Sequence, residues 1–540
     1  MNPRKILIVG GGSAGWLTAA HLHSVLNRDG RELVNISVLE SPEAPGSDVG
    51  ESTLPNINRI LAILGVEQQE FMRRVDGSFK QGSKFVNWLH NEGEHFYHPF
   101  SMPRSGTVDR SGQRWLKSNR SVPFAETVSA QPMLCEHNLS PRMLGRWDFG
   151  PPLTYAFHLD ELKFANYLCE LLTARGVTQH PGHIAAVEMA ENGDIAAVNS
   201  NNGDRLQADL FIDCTGSAAL LSEKEMGVGW VDCSEWLLCD RALTIRVPYE
   251  QYYPGYVHPY TTATALAAGW AWDIPLQDSR SLGYVYSSAF LGKEDAEREL
   301  RFLEGSHADS LTSTETRFRT GHRQNAWVGN CISIGAASGF IEALESTGLH
   351  MIDVAAEMLV EHFPYGDETG PLAYRYNRIM VNRFYEILDF VNLHYCLTRR
   401  TDTDFWREVQ RPGRVNERLQ AKLDFWRLKQ PTPMDFEDQF FPGQSDTPLP
   451  SSNVPGDYRS PVDTAGLWDH ENYEVVLYGM DFLNKECDDW FGQQRPNSNV
   501  SRQVVERLRM APKKLPPHDV WLQQVCGMPN YPSSQRMTQQ

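Results

Sequence analysis

Close to its start the chain carries four consecutive apolar residues, Ile6-Leu7-Ile8-Val9, followed at once by Gly10-Gly11-Gly12. A short unbroken apolar run of mostly β-branched residues predicts a parallel strand buried on both faces. Residues 17–26 have the spacing of a helix, and 35–39 that of a second strand. Residues 41–53 are rich in turn formers and predict an ordered loop. Helical spacing returns at 56–64. Residues 79–147 predict short strands and loops. A helix follows over 155–172, entered from a strand, with Asp160 placed to cap it.

Strands at 184–189 and 195–200 flank Glu191-Asn192-Gly193-Asp194, a hairpin signal. Residues 209–216 and 331–335 predict two further buried strands ending in glycine. The stretch 240–290 alternates like antiparallel strands. Helices are predicted over 348–362, within 370–430, and near 471–490 and 500–510.

The glycines give the first strand a chemistry. Gly10, Gly12 and Gly15 form G-x-G-x-x-G between strand and helix, the pattern that holds a dinucleotide. One glycine makes the tight turn, the next lets backbone approach a pyrophosphate, and the third lets helix and strand pack. Ser13 and Ala14 lie in this loop and are counted as cofactor-binding, and the amides and dipole of the helix that follows favour phosphate. Glu40 ends the second strand about 25 residues past the loop, where a carboxylate can bind a ribose hydroxyl. The motif by itself fits either FAD or NAD.

Composition narrows the classes. With 540 residues the chain exceeds what one core usually serves, so at least two domains are expected. A net charge of −18 argues against nucleic-acid and anionic-membrane partners. No apolar run approaches the ~20 residues of a membrane span. The first strand starts within six residues, which predicts no cleaved leader and a cytoplasmic location. Nine cysteines without metal or redox spacing read as reduced, small hydrophobes, and no metal site is expected. The fourteen tryptophans suit either ordinary core or a surface for stacking an aromatic substrate.

Four more stretches acquire meaning together. Asp76-Gly77-Ser78-Phe79-Lys80 places a lysine in a glycine-flanked strand. Gly50-Glu51-Ser52-Thr53-Leu54-Pro55 follows the first loop. Gly269-Trp270-Ala271-Trp272-Asp273-Ile274-Pro275 carries two tryptophans that face one side of a strand. Glu345-Ser346-Thr347-Gly348 precedes a late helix. With residues 209–216, similar to a second flavin fingerprint, these motifs resemble the flavin-dependent halogenases of the tryptophan halogenase family. The resemblance runs from the N-terminus to about Trp406.

That resemblance implies an α/β fold (α+β overall), with a Rossmann-like FAD-binding domain of the flavin monooxygenase type and a second, mainly helical substrate domain. Residues 1–90, 150–225 and 300–362 are assigned to the first, and 91–149, 226–299 and 363–540 to the second. It implies FAD, used as FADH2 from a separate flavin reductase, and a halide, chloride or bromide. Together with O2 these give hypohalous acid, which passes inside the protein to Lys80 and halogenates a small aromatic, indole-like substrate. Lys80 then acts as an N-halo amine or as a hydrogen-bonding cation. Both chemistries suit a buried lysine.

Glu345 is implied as the partner that accepts the ring proton or steadies the cationic intermediate. A carboxylate favoured by the helix dipole is the plainer reading. Thr347 and Gly348 are implied as the halide site. Glu51, Ser52, Ile184, Ala336 and Leu349 are implied near the flavin. Leu54, Pro55, Trp270 and Trp272 are implied along the passage, with core packing the alternative for the tryptophans. His98-Pro99-Phe100 is implied around the substrate, against a satisfied loop histidine. Glu342 and Lys84 are read as structural. A homodimer is compatible with all of this.

The charged grip by which tryptophan-specific members hold the free amino acid finds no counterpart in 410–480, so an open site for indoles or a larger aromatic is expected. The alternatives are an ordinary flavin hydroxylase of aromatics, which needs no Lys80, and a flavoprotein without catalysis, against which the Lys80–Glu345 pair argues.

Overall fold

The computed structural model describes residues 3–42, 49–102, 111–145, 153–436, 467–483 and 496–532. Its first sheet has six strands, in the order Trp327–Val328, Cys331–Ser333, Leu210–Asp213, Arg4–Val9, Val34–Glu40 and Thr178–Pro181. All neighbours run parallel except the first pair. Alternate side chains go to opposite faces. Ile6 and Ile8 join the large core with Trp16 and Leu17, whereas Leu7 and Val9 pack with Ile195, Val198 and Phe211. Both faces are therefore apolar, as a parallel sheet requires. The helix Ser13–Leu26 covers one of them and the hairpin Ile184–Met189 with Ile195–Ser200 the other.

A second sheet has seven strands: Ser313–Arg317, Arg241–Pro248, Ser279–Tyr286, Gly269–Pro275, Thr261–Leu266, Gly82–Val86 and His95–Pro99. Within Gly269–Pro275, Ala271 faces the small core under the helix Lys293–Glu304, while Trp270, Trp272 and Ile274 face the large core. The partners across from the tryptophans are small, apart from Val285 beside Trp270. Trp270 pairs with Ala265, and Trp272 with Ala263 and Gly283. A Cβ on Gly283 would collide with the Trp272 indole, which lies across it.

A three-stranded sheet joins the two: Gly50–Ser52, Ala156–Asp160 and Ser78–Lys80. Here the expected loop over 41–53 is corrected, since its end is a strand. Three residues are too few to show a period, and their pairing is supplied by Ala156–Asp160. Residues 43–48 of that stretch lie outside the described residues. Asp160 closes this strand and caps the helix Glu161–Thr173 by accepting the Lys163 amide at 2.9 Å.

The stretch 79–147 also holds the short helices Ser111–Leu116, Phe124–Val128 and Gln131–Glu136, which strands and loops did not foresee. Helices of five or six residues hardly complete a periodic pattern. Past the late strand come the helices Gly348–Glu361 and Gly370–Cys396, the latter 27 residues long and buried through most of its second half. Asp404–Val409 and Glu417–Trp426 follow. The helix expected near 471–490 spans His470–Gly479, and residues 484–490 lie outside the described residues. The helix expected near 500–510 spans Arg502–Lys514.

Candidate active site

The glycine motif lines a cavity of about 400 Å³. Gly10 has φ +112°, and a Cβ there would strike the Cys214 carbonyl. A Cβ on Gly15 would strike the Gly10 carbonyl, so this glycine lets helix meet strand. Gly12 instead faces open space, which suits a ligand's backbone approach. The cavity is also walled by Ser13, Glu40, Ile184 and Thr215. Glu40 spends Oε2 on Trp16 Nε1 at 3.3 Å and Gln179 Nε2 at 2.8 Å, and Oε1 remains for a ribose hydroxyl. The residues present fit a dinucleotide. Ala14 and Gly15 lie within the helix, where Ala14 packs on the Gly335 turn that leads into Ala336. Leu349 is buried in the first turn of Gly348–Glu361. Thr347 precedes that helix and makes no side-chain cap bond.

A second, smaller cavity of about 90 Å³ lies on the large-core face of the seven-stranded sheet. Its walls include Glu51, Ser52, Thr261, Trp270, Trp272, Glu345 and Ser346. Leu54 and Pro55, expected along such a passage, are not among its lining residues. Leu54 is core, and both lead into the helix Ile57–Leu64. Trp270 is fixed by its Nε1, which donates to Glu342 Oε1 at 2.7 Å. Tyr395 OH donates to the same oxygen at 2.9 Å. Burial raises the Glu342 carboxyl to about 7, partly offset by those two donors.

Lys80 is wholly buried, and its Nζ donates to Ser346 Oγ at 2.8 Å. Phe100 lies with its ring centre 5.3 Å from Nζ. Pro99 pairs with Gly82 two residues from the lysine. Burial lowers the Lys80 ammonium to about 8 against the opposing charges of Glu345 and Glu51. Glu51 moves the other way. Burial and then the charge of Glu161 raise its carboxyl to about 7. Lys84, four residues from Lys80, is an ion-pair partner of Glu136 at 2.6 Å.

Glu345 is buried between two imidazoles. His98 Nδ1 stands 2.8 Å from its Oε1, and His394 Nε2 3.2 Å from the same oxygen. Burial alone would raise this carboxyl. The two histidines outweigh it and hold Glu345 well below the usual carboxylate range. His98 Nε2 faces Asn472 Oδ1 at 2.8 Å, while Asn472 Nδ2 donates to Asp469. Both His98 nitrogens thus face acceptors, and an imidazolium satisfies both. Burial opposes that charge, but Glu345 raises the His98 pKa all the same. Glu345 and Ser346 both have positive φ, 65° and 61°, a strained pair at the centre of the site.

Residues 5–495 match the tryptophan halogenase family. The chain belongs to the tryptophan halogenase family. It is 34% identical over 496 residues to a tryptophan 7-halogenase from Lentzea aerocolonigenes, covering 88% of this chain and 89% of that one. It is 34% identical over 455 residues to a tryptophan 6-halogenase from Streptomyces albogriseolus, covering 81% and 84%. Among solved structures, a tryptophan halogenase from Shewanella frigidimarina superposes with a TM-score of 0.84 at 30% identity, covering 98% of this chain and 99% of that one. The protein is a flavin-dependent halogenase with the fold its motifs implied, and FADH2 and halide are its cofactor and co-substrate. Among the described residues no helix is long and apolar enough to cross a membrane.

Among the described residues, His394, Asn472, His158 and Thr261 make polar contacts around the small cavity that the sequence did not single out. His394 carried a signal, as an ionisable residue in the run Phe390-Val391-Asn392-Leu393-His394-Tyr395. His158 carried the same signal, within Tyr155-Ala156-Phe157-His158-Leu159, whereas Asn472 and Thr261 gain their place only by folding. Asp435, in the stretch that departs from the tryptophan-specific pattern, accepts from Trp426 Nε1 at 3.1 Å and pairs with Lys429 at 2.5 Å.

Proposed function

We propose that this halogenase places chlorine or bromine on an indole-like aromatic carbon, using Lys80 and Glu345. The observation that carries the reading is the buried Lys80 ammonium held beside Ser346, which also lines the small cavity. Bound FAD, in its reduced form and with dioxygen and halide, supplies hypohalous acid. Gly10, Gly12, Ser13 and Glu40 hold the cofactor's phosphate and ribose end. Glu51, Ser52, Ile184, Ala336 and Leu349 adjoin its remainder. Thr347 and Gly348 offer helix N-terminal amides to the halide.

Trp270 and Trp272 wall the cavity between the oxidant's source and Lys80, keeping the aromatic substrate away from the flavin. Lys80 then directs the halogen, through a hydrogen bond from its ammonium or an N–halogen bond formed by its amine. Glu345, kept ionised, steadies the ring cation and takes its proton. Phe100 offers a ring face to the substrate. His98 serves the site through Glu345. The spending of Asp435 on Trp426 and Lys429 favours an aromatic without an amino-acid head group. A separate flavin reductase, a cytoplasmic location and a homodimer complete the reading.

The test is incubation of the protein with FAD, a flavin reductase, NADH and bromide against a panel of indoles and phenols. Mass spectrometry then looks for the bromine isotope doublet. Product with the native chain and none with Lys80→Ala supports the assignment. Product formed equally by Lys80→Ala removes it, and hydroxylated product in halide-free buffer would establish a hydroxylase instead.

A further inference from the structure

A chain of hydrogen bonds runs from the small cavity into the core, and its direction is fixed from the far end. The Pro275 carbonyl can only accept, so Ser78 Oγ donates to it, at 2.6 Å. Ser78 has then spent its one proton. His158 Nδ1, 3.0 Å away, must donate to Ser78 Oγ. Burial, and then the charge of Lys80, hold His158 far below its usual pKa, so its ring is neutral. Its Nε2 therefore bears a lone pair and accepts from Thr261 Oγ1 at 2.9 Å. Thr261 has spent its proton in turn, so Ser52 Oγ donates to Thr261 at 2.9 Å.

Ser52 and Thr261 both line the cavity. The Ser52 hydroxyl meets its contents with lone pairs alone. The other polar side chains on the walls include Ser83, Ser346, the Trp272 indole and the carboxyls of Glu51 and Glu345, the last of them ionised. Lys80 opposes them from the adjoining strand, where one of its three ammonium protons goes to Ser346. Glu161 adds a further negative charge beyond Glu51. A species held on Ser52 brings its own proton donor, and beside the ionised Glu345 it carries no negative charge.

We propose that the cavity is a holding site for one neutral hypohalous acid, whose O–H donates to Ser52 Oγ, and that it rejects the hypohalite anion. The volume is ample for one such molecule, since a single water needs only about 10–15 Å³. His158, Thr261 and Ser78 are positioning residues that keep Ser52 an acceptor. The inference rests on the reading above, in which hypohalous acid travels to Lys80.

The test measures how oxidised halogen divides between an indole and a diketone trap in solution, for chloride and bromide across pH. In the native enzyme most halogen reaches the indole. That share falls at alkaline pH, and does so later with bromide, because hypobromous acid is the weaker acid. A limb due to Lys80 alone would fall at one pH for both halides. Thr261→Val frees the Ser52 proton to point into the cavity. It should send about five- to tenfold more halogen to the trap, the worth of one neutral hydrogen bond, and erase the difference between halides. Thr261→Ser keeps the hydroxyl and should restore native behaviour. Native partition in Thr261→Val overturns the proposal. If that variant fails to fold, Ser52→Ala replaces it, with the same expected leak and the same overturning result. Halogen found neither on indole nor in the trap with the native enzyme would instead defeat the halogenase reading of the site.

Discussion

His98 Nδ1 and Glu345 Oε1 are 2.8 Å apart and both buried. In the proposed reaction the histidine therefore acts through the carboxylate. Its charge keeps Glu345 ionised in a setting that would otherwise protonate it. His98 occupies Oε1, which His394 also faces at 3.2 Å, leaving Oε2 as the oxygen open to a proton. Glu345→Gln should lower aromatic halogenation by about 10²–10⁴-fold, the range of a positioned acid or base, while bound flavin is retained. His98→Ala should raise the Glu345 pKa and move the acid limb of kcat to higher pH. Rapid-quench product analysis across pH checks both.

Lys80 costs stability where it stands. Its folded pKa, about 8, lies below the unfolded 10.5. The unfolded chain holds the extra proton between those values, so stability should rise as pH climbs from 8 to 10.5. Below pH 8 the penalty is complete. Lys80→Met should therefore stabilise the protein at pH 7 by up to about 3 kcal/mol while abolishing halogenation. Denaturant unfolding at several pH values measures it.

Glu342 shows the opposite sign. Its carboxyl is raised to about 7 from 4.5, so the protonated form stabilises the fold and that stability is lost as pH rises through 4.5–7. Glu342→Gln still offers an oxygen to Trp270 and Tyr395. The variant should gain up to about 3 kcal/mol at pH 8 and little at pH 4.5, with halogenation retained. A melting curve at each pH decides this, and loss of halogenation would give Glu342 a role beyond holding Trp270.

Gly15→Ala should fail at the cofactor. The added methyl meets the Gly10 carbonyl, and relief requires the helix Ser13–Leu26 to shift off its strand. A cost of about 1–3 kcal/mol and loss of flavin binding are expected. Flavin fluorescence titration and melting temperature report the two effects separately.

Features that depend on neighbours along the chain were legible from the residues alone. The apolar run at Ile6–Val9, the glycines after it, the Asp160 cap and the paired tryptophans all express local geometry, with periods of 2 and 3.6. The family motifs named Lys80, Glu345 and several neighbours, but not the groups that set their charge. Tertiary structure alone decided that Glu345 lies between His98 and His394, residues 247 and 49 positions away by number. It likewise decided that Ser78, His158, Thr261 and Ser52 share one line of hydrogen bonds. Such contacts form when strands distant in sequence pair in one register, and burial then sets the charge of each group. No periodicity along the chain encodes either event.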